Sequence, residues 1–290
     1  MAPLPSSGFP FWRLLRPRQW TKNAVVLAAL LFARQWHDPD QVVRALGLAA
    51  AFCLASSAGY VFNDLKDREG DRRHPRTRLR PLASGAIRRT AARWLVPALA
   101  GAALLVAWGA GAAVGARWCL VGYLGLSAAY SLRLKRIAMV DVMTIAAGFV
   151  LRAAAGALAI GVAISPWLLI CTALLALLLA LAKRRMAGVG LPPALGVYTP
   201  ALLDQMIAVV TSCTLMAYIL YTFSERTAAQ FPSHLMPLTS TFVLFGIFRY
   251  LHLVYARGDG AEPETVLLRD RPMQVNLVLY VAAVFLAVRG

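Results

Sequence analysis

Residues 41–71 read QVVRALGLAAAFCLASSAGYVFNDLKDREGD. The stretch has two halves that meet at Asn63. The first half, residues 41–62, holds a single charge, Arg44, among Ala, Leu, Val, Phe and Gly. As a helix it rises about 33 Å, enough to cross the ~30 Å hydrocarbon core of a bilayer. The second half is charged at Asp64, Lys66, Asp67, Arg68, Glu69 and Asp71. Only helices and closed barrels satisfy their backbone polar groups in lipid. A barrel strand alternates apolar and polar at every second residue, and this run does not. The stretch therefore reads as a transmembrane helix ending in a dense charged turn.

The same pattern recurs along the chain. Nine apolar segments stand out, at about 20–36, 41–62, 92–112, 114–132, 138–161, 165–183, 203–223, 235–256 and 273–289. The expected fold class is an all-α polytopic membrane protein with nine transmembrane helices in one domain, residues 1–290. Composition agrees. Hydrophobic residues make up 59% and charged residues 15%, against roughly 45–50% and 25% in a soluble domain. That excludes an ordinary soluble globule, a disordered chain and a secreted disulfide scaffold. Several segments are rich in Ala and Gly, such as Ala153 to Gly161, which suits close helix packing in lipid. The first ten residues carry no cleavable signal, so the first segment is expected to be a retained span. Cys53, Cys119, Cys171 and Cys213 lie far apart in apolar segments and read as small buried hydrophobes.

The net charge of +17 comes from 30 Lys and Arg against 13 Asp and Glu. In a membrane protein such an excess reports topology, because basic residues collect in cytoplasmic loops; no nucleic-acid partner is implied. With the N-terminus inside, 23 cations fall on the inner side and 5 on the outer, while Arg152 and Arg249 sit within spans. The expected location is the bacterial inner (plasma) membrane, multi-pass, with the N-terminus and the active site cytoplasmic. The long polar loops, 63–91, 184–202 and 257–272, all fall on that side. Membrane lipid is an expected partner, and a homo-oligomeric state is left open.

Asp64, Asp67 and Asp71 are spaced i, i+3, i+7, which places them within about 60° of one another on a helix, beside Asn63. Three carboxylates on one face repel unless a cation joins them. Mg²⁺ takes oxygen ligands and commonly bridges carboxylates to substrate phosphates. Idle charge at a membrane boundary is costly, which favours this reading over a solvated loop. The run His74 to Gly85 follows, with Arg76, Arg78 and Arg80 alternating between turn-forming residues. Arginine forks match phosphate oxygens. The pair suggests an acidic metal face beside a substrate carrying several phosphates.

Asn63-Asp64-x-x-Asp67-x-x-x-Asp71, followed by Arg80-Pro81-Leu82, resembles the first aspartate-rich motif of the UbiA-type intramembrane prenyltransferase superfamily. The resemblance implies nine helices around a lipid-open central cavity that holds a polyprenyl chain, with Mg²⁺ holding a diphosphate. It implies Asp64, Asp67 and Asp71 as catalytic residues and, with Asn63, as metal ligands. Within the superfamily the chain is similar to the decaprenyl-phosphate phosphoribosyltransferase branch. Carrying that likeness are Arg16-Pro17-x-Gln19-Trp20-x-Lys22-Asn23, Tyr130-Ser131-Leu132-x-Leu134-Lys135-Arg136 and Asp141-Val142. Further along come Gly148-Phe149-Val150-Leu151-Arg152, Lys183-Arg184-Arg185, Tyr221-Thr222-Phe223, Phe248-Arg249-Tyr250 and Asp270-Arg271-Pro272. The likeness implies transfer of the 5-phosphoribosyl group of PRPP (5-phosphoribose diphosphate) to a polyprenyl (decaprenyl) phosphate, with release of pyrophosphate, for cell-wall arabinan precursors.

Aromatic-acceptor members carry a second aspartate-rich motif after the sixth span. Here that position reads Leu181-Ala182-Lys183-Arg184-Arg185-Met186. Cations do not recruit Mg²⁺ but do hold phosphate, and two phosphorylated substrates need more positive charge than one. The branch usually continues with a glutamate; here no acid occurs up to Tyr198.

Gln19, Lys22, Asn63, Arg76, Arg78, Arg80, Tyr130, Lys135, Asp141, Lys183, Arg184, Arg185 and Tyr198 form the expected substrate-binding set. Lys22 either snorkels or meets a phosphate. Asp141 either pairs with Lys135 or Arg136 or takes part in chemistry. Arg152 and Arg249 are expected to face the bundle interior. Two rival functions share parts of this pattern. One is prenyl transfer from a polyprenyl diphosphate to an aromatic acceptor. The other is a non-enzymatic lipid carrier or flippase, which has no use for three carboxylates at helical spacing.

Overall fold

The computed structural model describes residues 10–75, 77–187, 196–231, 235–257, 266 and 269–289. Among the described residues there is helix and no strand. The α-helices are α1 (Pro10–Leu15), α2 (Ala28–Phe32), α3 (Pro39–Arg73), α4 (Arg89–Gly109), α5 (Val114–Leu132), α6 (Val140–Ala159), α7 (Pro166–Ala187), α8 (Pro200–Phe223), α9 (Glu225–Gln230), α10 (Thr239–His252) and α11 (Arg271–Arg289).

The nine-span count is not reproduced. Eleven α-helices are described, and six helical stretches are long and apolar enough to cross a membrane: α3, α4, α6, α7, α8 and the run Met236–Ala256. The segment at 20–36 is not one helix. It runs as a 3₁₀ segment, Pro17–Leu27, then the short α2, then a 3₁₀ turn at Gln35–His37. Arg16 and Arg34 bracket it in left-handed conformations, and Asn23 inside it is buried against other helices. In α5, Arg117, Ser127, Tyr130 and Ser131 dilute the apolar content. The apolar part of α11 is short.

The 35 residues of α3 rise about 52 Å, well beyond the hydrocarbon core. The expected loop at 63–91 is therefore helical as far as Arg73, and the acidic turns are a direct extension of a membrane helix. The side chain of Asp38 caps its start by accepting from the amides of Asp40 (2.9 Å) and Gln41 (3.4 Å), with Pro39 at the first helical position. Thr199 caps α8 before Pro200 in the same way.

Helices α3 to α6 pack around Leu48, Phe52, Leu120 and Tyr123, with Ala51, Ala55, Ala103 and Ala107 allowing close approach. A second core joins α6, α7, α8 and α10 around Leu178, Leu181, Ile207 and Ile247. Cys53, Cys119 and Cys171 are partly buried, but Cys213 is exposed on α8 beside exposed Val209 and Met216. All four thiols are free.

Candidate active site

The charged end of the bundle gathers the last turns of α3, the α5–α6 turn, the start of α6 and the end of α7. The acidic face of α3 is met by cations from three directions. Arg16 Nη2 donates to Asp64 Oδ1 at 2.6 Å. Arg80 Nη1 donates to Asp71 Oδ2 at 2.8 Å and to Asp64 Oδ1 at 3.4 Å. Lys135 Nζ donates to Asp67 Oδ1 at 2.5 Å and to Asn63 Oδ1 at 2.9 Å. Asn63 Nδ2 donates to Asp67 Oδ2 at 2.9 Å, one helical turn away. Arg68 and Arg72 turn outward and hold the following loop, donating to the carbonyls of Leu82 and Ala83 at 3.1 Å each. That clamp presents Arg80 to the carboxylates.

Beside this centre lies a second one. Asp141, fully buried at the start of α6, accepts from Arg184 Nε at 2.8 Å and from the Tyr198 hydroxyl at 2.6 Å. Arg184 Nη2 reaches the Tyr130 hydroxyl at 3.4 Å. Tyr130 lies within electrostatic reach of both Asp67 and Asp141, so it stands between the two centres. Neither expected partner of Asp141 is used: Lys135 goes to Asp67, and the carboxylate takes Arg184. Burial, and next the hydrogen bond to Asp141, push the Tyr198 phenol up to about 12. The hydroxyl is therefore a donor at neutral pH.

The expected set separates into groups. Asn63, Asp67, Tyr130, Lys135, Asp141, Arg184 and Tyr198 come together; Asp64, Asp71 and Arg80 form the adjoining cluster. Lys22 hydrogen-bonds Gln19 within the 3₁₀ segment. Arg78 and Lys183 are exposed. Arg185 belongs elsewhere, on Asp204 (2.7 Å), with Tyr255 donating to the same carboxylate (2.8 Å). Arg76 lies outside the described residues, as do 188–195 and most of 258–268. Arg249 pairs with Asp270 at 2.7 Å, and Asp270 also caps α11.

Arg16 and Asn23, quoted for the family likeness, stood outside the expected substrate-binding set, yet both make polar contacts with other helices. Arg16 precedes a proline at the charged end, a position from which a cation can turn back over the helix. Asn23 accepts from Arg152 Nε at 2.7 Å. Arg152, 5% exposed, also donates to Tyr123 OH (2.8 Å), Gly148 O (3.0 Å) and Ser56 Oγ (3.3 Å). Its guanidinium lies over Tyr123 and Phe149.

The carboxylates and the Asn63 amide form an all-oxygen donor set, which suits Mg²⁺. Among the described residues no three His, Cys, Asp or Glu lie close enough to enclose an ion alone. The fit is to an ion held by one or two carboxylates and completed by substrate phosphates, the usual Mg²⁺ arrangement. An apolar cavity of about 760 Å³ opens between α2, α7, α8, α10 and α11, lined by Phe32, Trp167, Leu175, Tyr218, Tyr221 and Tyr280 among others.

The sequence profile described as the UbiA prenyltransferase family matches residues 23–278. The chain belongs to the UbiA prenyltransferase family. This UbiA-family chain is 31% identical over 291 residues to the decaprenyl-phosphate phosphoribosyltransferase of Corynebacterium glutamicum, covering 95% of the chain and 86% of that protein. It is 31% identical over 289 residues to the enzyme of that name from Mycobacterium tuberculosis, covering 95% and 93%. A UbiA homologue from Archaeoglobus fulgidus, solved bound to DMAPP and Mg²⁺, superposes with a TM-score of 0.71 over 97% of this chain and 99% of that one. At 19% identity that likeness is one of fold. The apolar helices and this fold make the UbiA-family chain a multi-pass membrane protein.

Proposed function

We propose that the chain transfers the 5-phosphoribosyl group of PRPP to a polyprenyl phosphate, decaprenyl phosphate in the first instance, and releases pyrophosphate. The observation that carries this reading is that a cation is ion-paired to a carboxylate at both centres, Lys135 to Asp67 and Arg184 to Asp141. Asp67 and Asn63 stand beside Lys135, and Arg184 stands where aromatic-acceptor members carry a second acidic motif. The near full-length likeness to decaprenyl-phosphate phosphoribosyltransferases supports the same substrates.

In this reading Asp67 and Asn63, with at most one of the neighbouring carboxylates Asp64 and Asp71, would hold Mg²⁺, which when bound would neutralise the charge that builds on the departing diphosphate. Lys135 and Arg184 supply cationic groups for phosphate oxygens, one from each centre. Arg80 and Arg16 hold Asp64 and Asp71 in place and give the cluster near-neutral charge before substrate arrives. The bond from ribosyl C1 to the diphosphate oxygen breaks as an oxygen of the lipid phosphate bonds to C1. That nucleophile is already anionic, so no general base is required. The chain's contribution is orientation and stabilisation of the leaving group. The polyprenyl tail occupies the apolar cavity between α2, α7, α8, α10 and α11. The site faces the cytoplasm in the bacterial plasma membrane, and the product serves cell-wall arabinan synthesis.

The test is a donor competition in membranes containing the protein. One arm holds labelled PRPP with polyprenyl phosphate; the other holds labelled prenyl diphosphate with 4-hydroxybenzoate. Label should enter lipid only in the first arm, and chelation of Mg²⁺ should stop it. Label transfer in the second arm alone would replace this reading with aromatic prenyl transfer.

A further inference from the structure

The turn between α5 and α6 carries Lys135 near one end and Asp141 at the other. Met139, inside it, has φ +66° and ψ −44°. L residues rarely adopt such a backbone, and a bulky side chain there persists only when its surroundings hold it. Beside the turn's own backbone bonds, from the Asp141 amide to the Ile137 carbonyl and from the Met143 amide to the Met139 carbonyl (3.0 Å each), one side-chain hydroxyl engages it. The Tyr198 OH accepts from the Met139 amide at 2.7 Å and donates to Asp141 Oδ1 at 2.6 Å. Tyr198 comes from residues 196–199, ahead of α8, and is 5% exposed. Its one proton is committed to Asp141 and a lone pair to the Met139 amide, so it has no proton left to donate to a substrate. The turn held this way continues back through the 3₁₀ residues Leu134–Arg136. That path brings Lys135 Nζ onto Asp67 and Asn63, 72 and 68 residues distant in sequence from Asn63 and Asp67 respectively.

We infer that Tyr198 is a positioning residue: its hydroxyl latches the α5–α6 turn in the strained form that delivers Lys135 to the acidic end of α3. Through Asp141 the same hydroxyl ties that turn to Arg184, so both cationic groups of the site are set by one latch. The inference rests on the proposed reaction for its substrate, since it takes Lys135 as a contact for the PRPP diphosphate. It assigns Tyr198 and Asp141 to building the donor site and removes them from touching the donor.

The test uses the full chain in lipid. Tyr198→Phe removes one oxygen and keeps the buried ring. It should raise the KM for PRPP about tenfold, the order expected from one buried hydrogen bond, and leave the KM for polyprenyl phosphate within about twofold. Adding Met139→Gly should return the KM for PRPP to within about twofold of wild type, because glycine adopts positive φ without needing the latch. Hydrogen exchange in residues 133–141 should rise in Tyr198→Phe. An unchanged KM for PRPP, or no recovery with Met139→Gly, would overturn the latch and return Tyr198 to direct substrate contact. Should the wild-type chain not use PRPP at all, the reaction reading fails, and exchange still judges the latch: no rise in Tyr198→Phe overturns it.

Discussion

Asp64, Asp67 and Asp71 are chemically alike, but burial separates them: their side chains are 2%, 31% and 10% exposed. Asp64 is locked under Arg16 and Arg80, while Asp67 is open to what arrives. Asp67→Asn should therefore lower kcat by about 10²–10³, the usual loss for one electrostatic group at a reacting centre. It should hardly affect folding, since a partly exposed ion pair is worth at most about 1 kcal/mol. Turnover by purified variant and wild type, with thermal unfolding of each, checks both statements. At this scale much was legible in the sequence. The i, i+3, i+7 carboxylates, Asn63, Tyr130, Lys135 and Arg184 all converge. Which cation meets which acid was not legible, because those pairs join residues 9 to 68 positions apart on different elements. Arg185 shows the limit most clearly: adjacent to Arg184 on a helix, it points about 100° away and pairs with Asp204.

The element that departs furthest from expectation is the broken segment at 17–37. Two of its residues, Trp20 and Asn23, are placed by contacts with α3 and α6. Trp20 Nε1 donates to Ser57 Oγ at 3.0 Å, and Arg152 takes Asn23. One turn after Arg152, a Cβ on Gly156 would overlap the Val26 carbonyl oxygen. Only glycine lets the 3₁₀ backbone lie this close to α6. Gly156→Ala should then destabilise the protein by about 1–3 kcal/mol, as overpacking does. Gly125→Ala on α5, where a Cβ meets nothing within 4 Å, should be neutral or slightly stabilising. Thermal midpoints in detergent compare the two. Hydropathy counted residues 20–36 as a span because it sums apolarity over a window. It does not register the tertiary partners that draw Asn23 inward and tighten the helix. The long helices α3, α4, α6, α7 and α8 were legible because their apolar runs are about as long as the ~30 Å hydrocarbon core and need no partner to be helical.

For the whole molecule, charge asymmetry and fold point the same way: the carboxylate clusters and most cations share one end of the bundle. With that end cytoplasmic, a single cysteine replacing exposed Arg78, in a background with the four native cysteines changed to serine or alanine, should react with an impermeant maleimide only in inverted membranes. One replacing exposed Val114, at the opposite end, should react in intact cells. The reverse labelling would invert the orientation. The central claim is that a sugar, and not a prenyl chain, is moved at the acidic end of α3. It is tested most directly by supplying the purified protein in lipid with PRPP labelled at ribose C1, polyprenyl phosphate and Mg²⁺. The account predicts that label passes into the organic phase with one pyrophosphate released per ribose, and that Asp67→Asn reduces both to near background. Label that stays in the aqueous phase, or a lipid product without matching pyrophosphate, would contradict it.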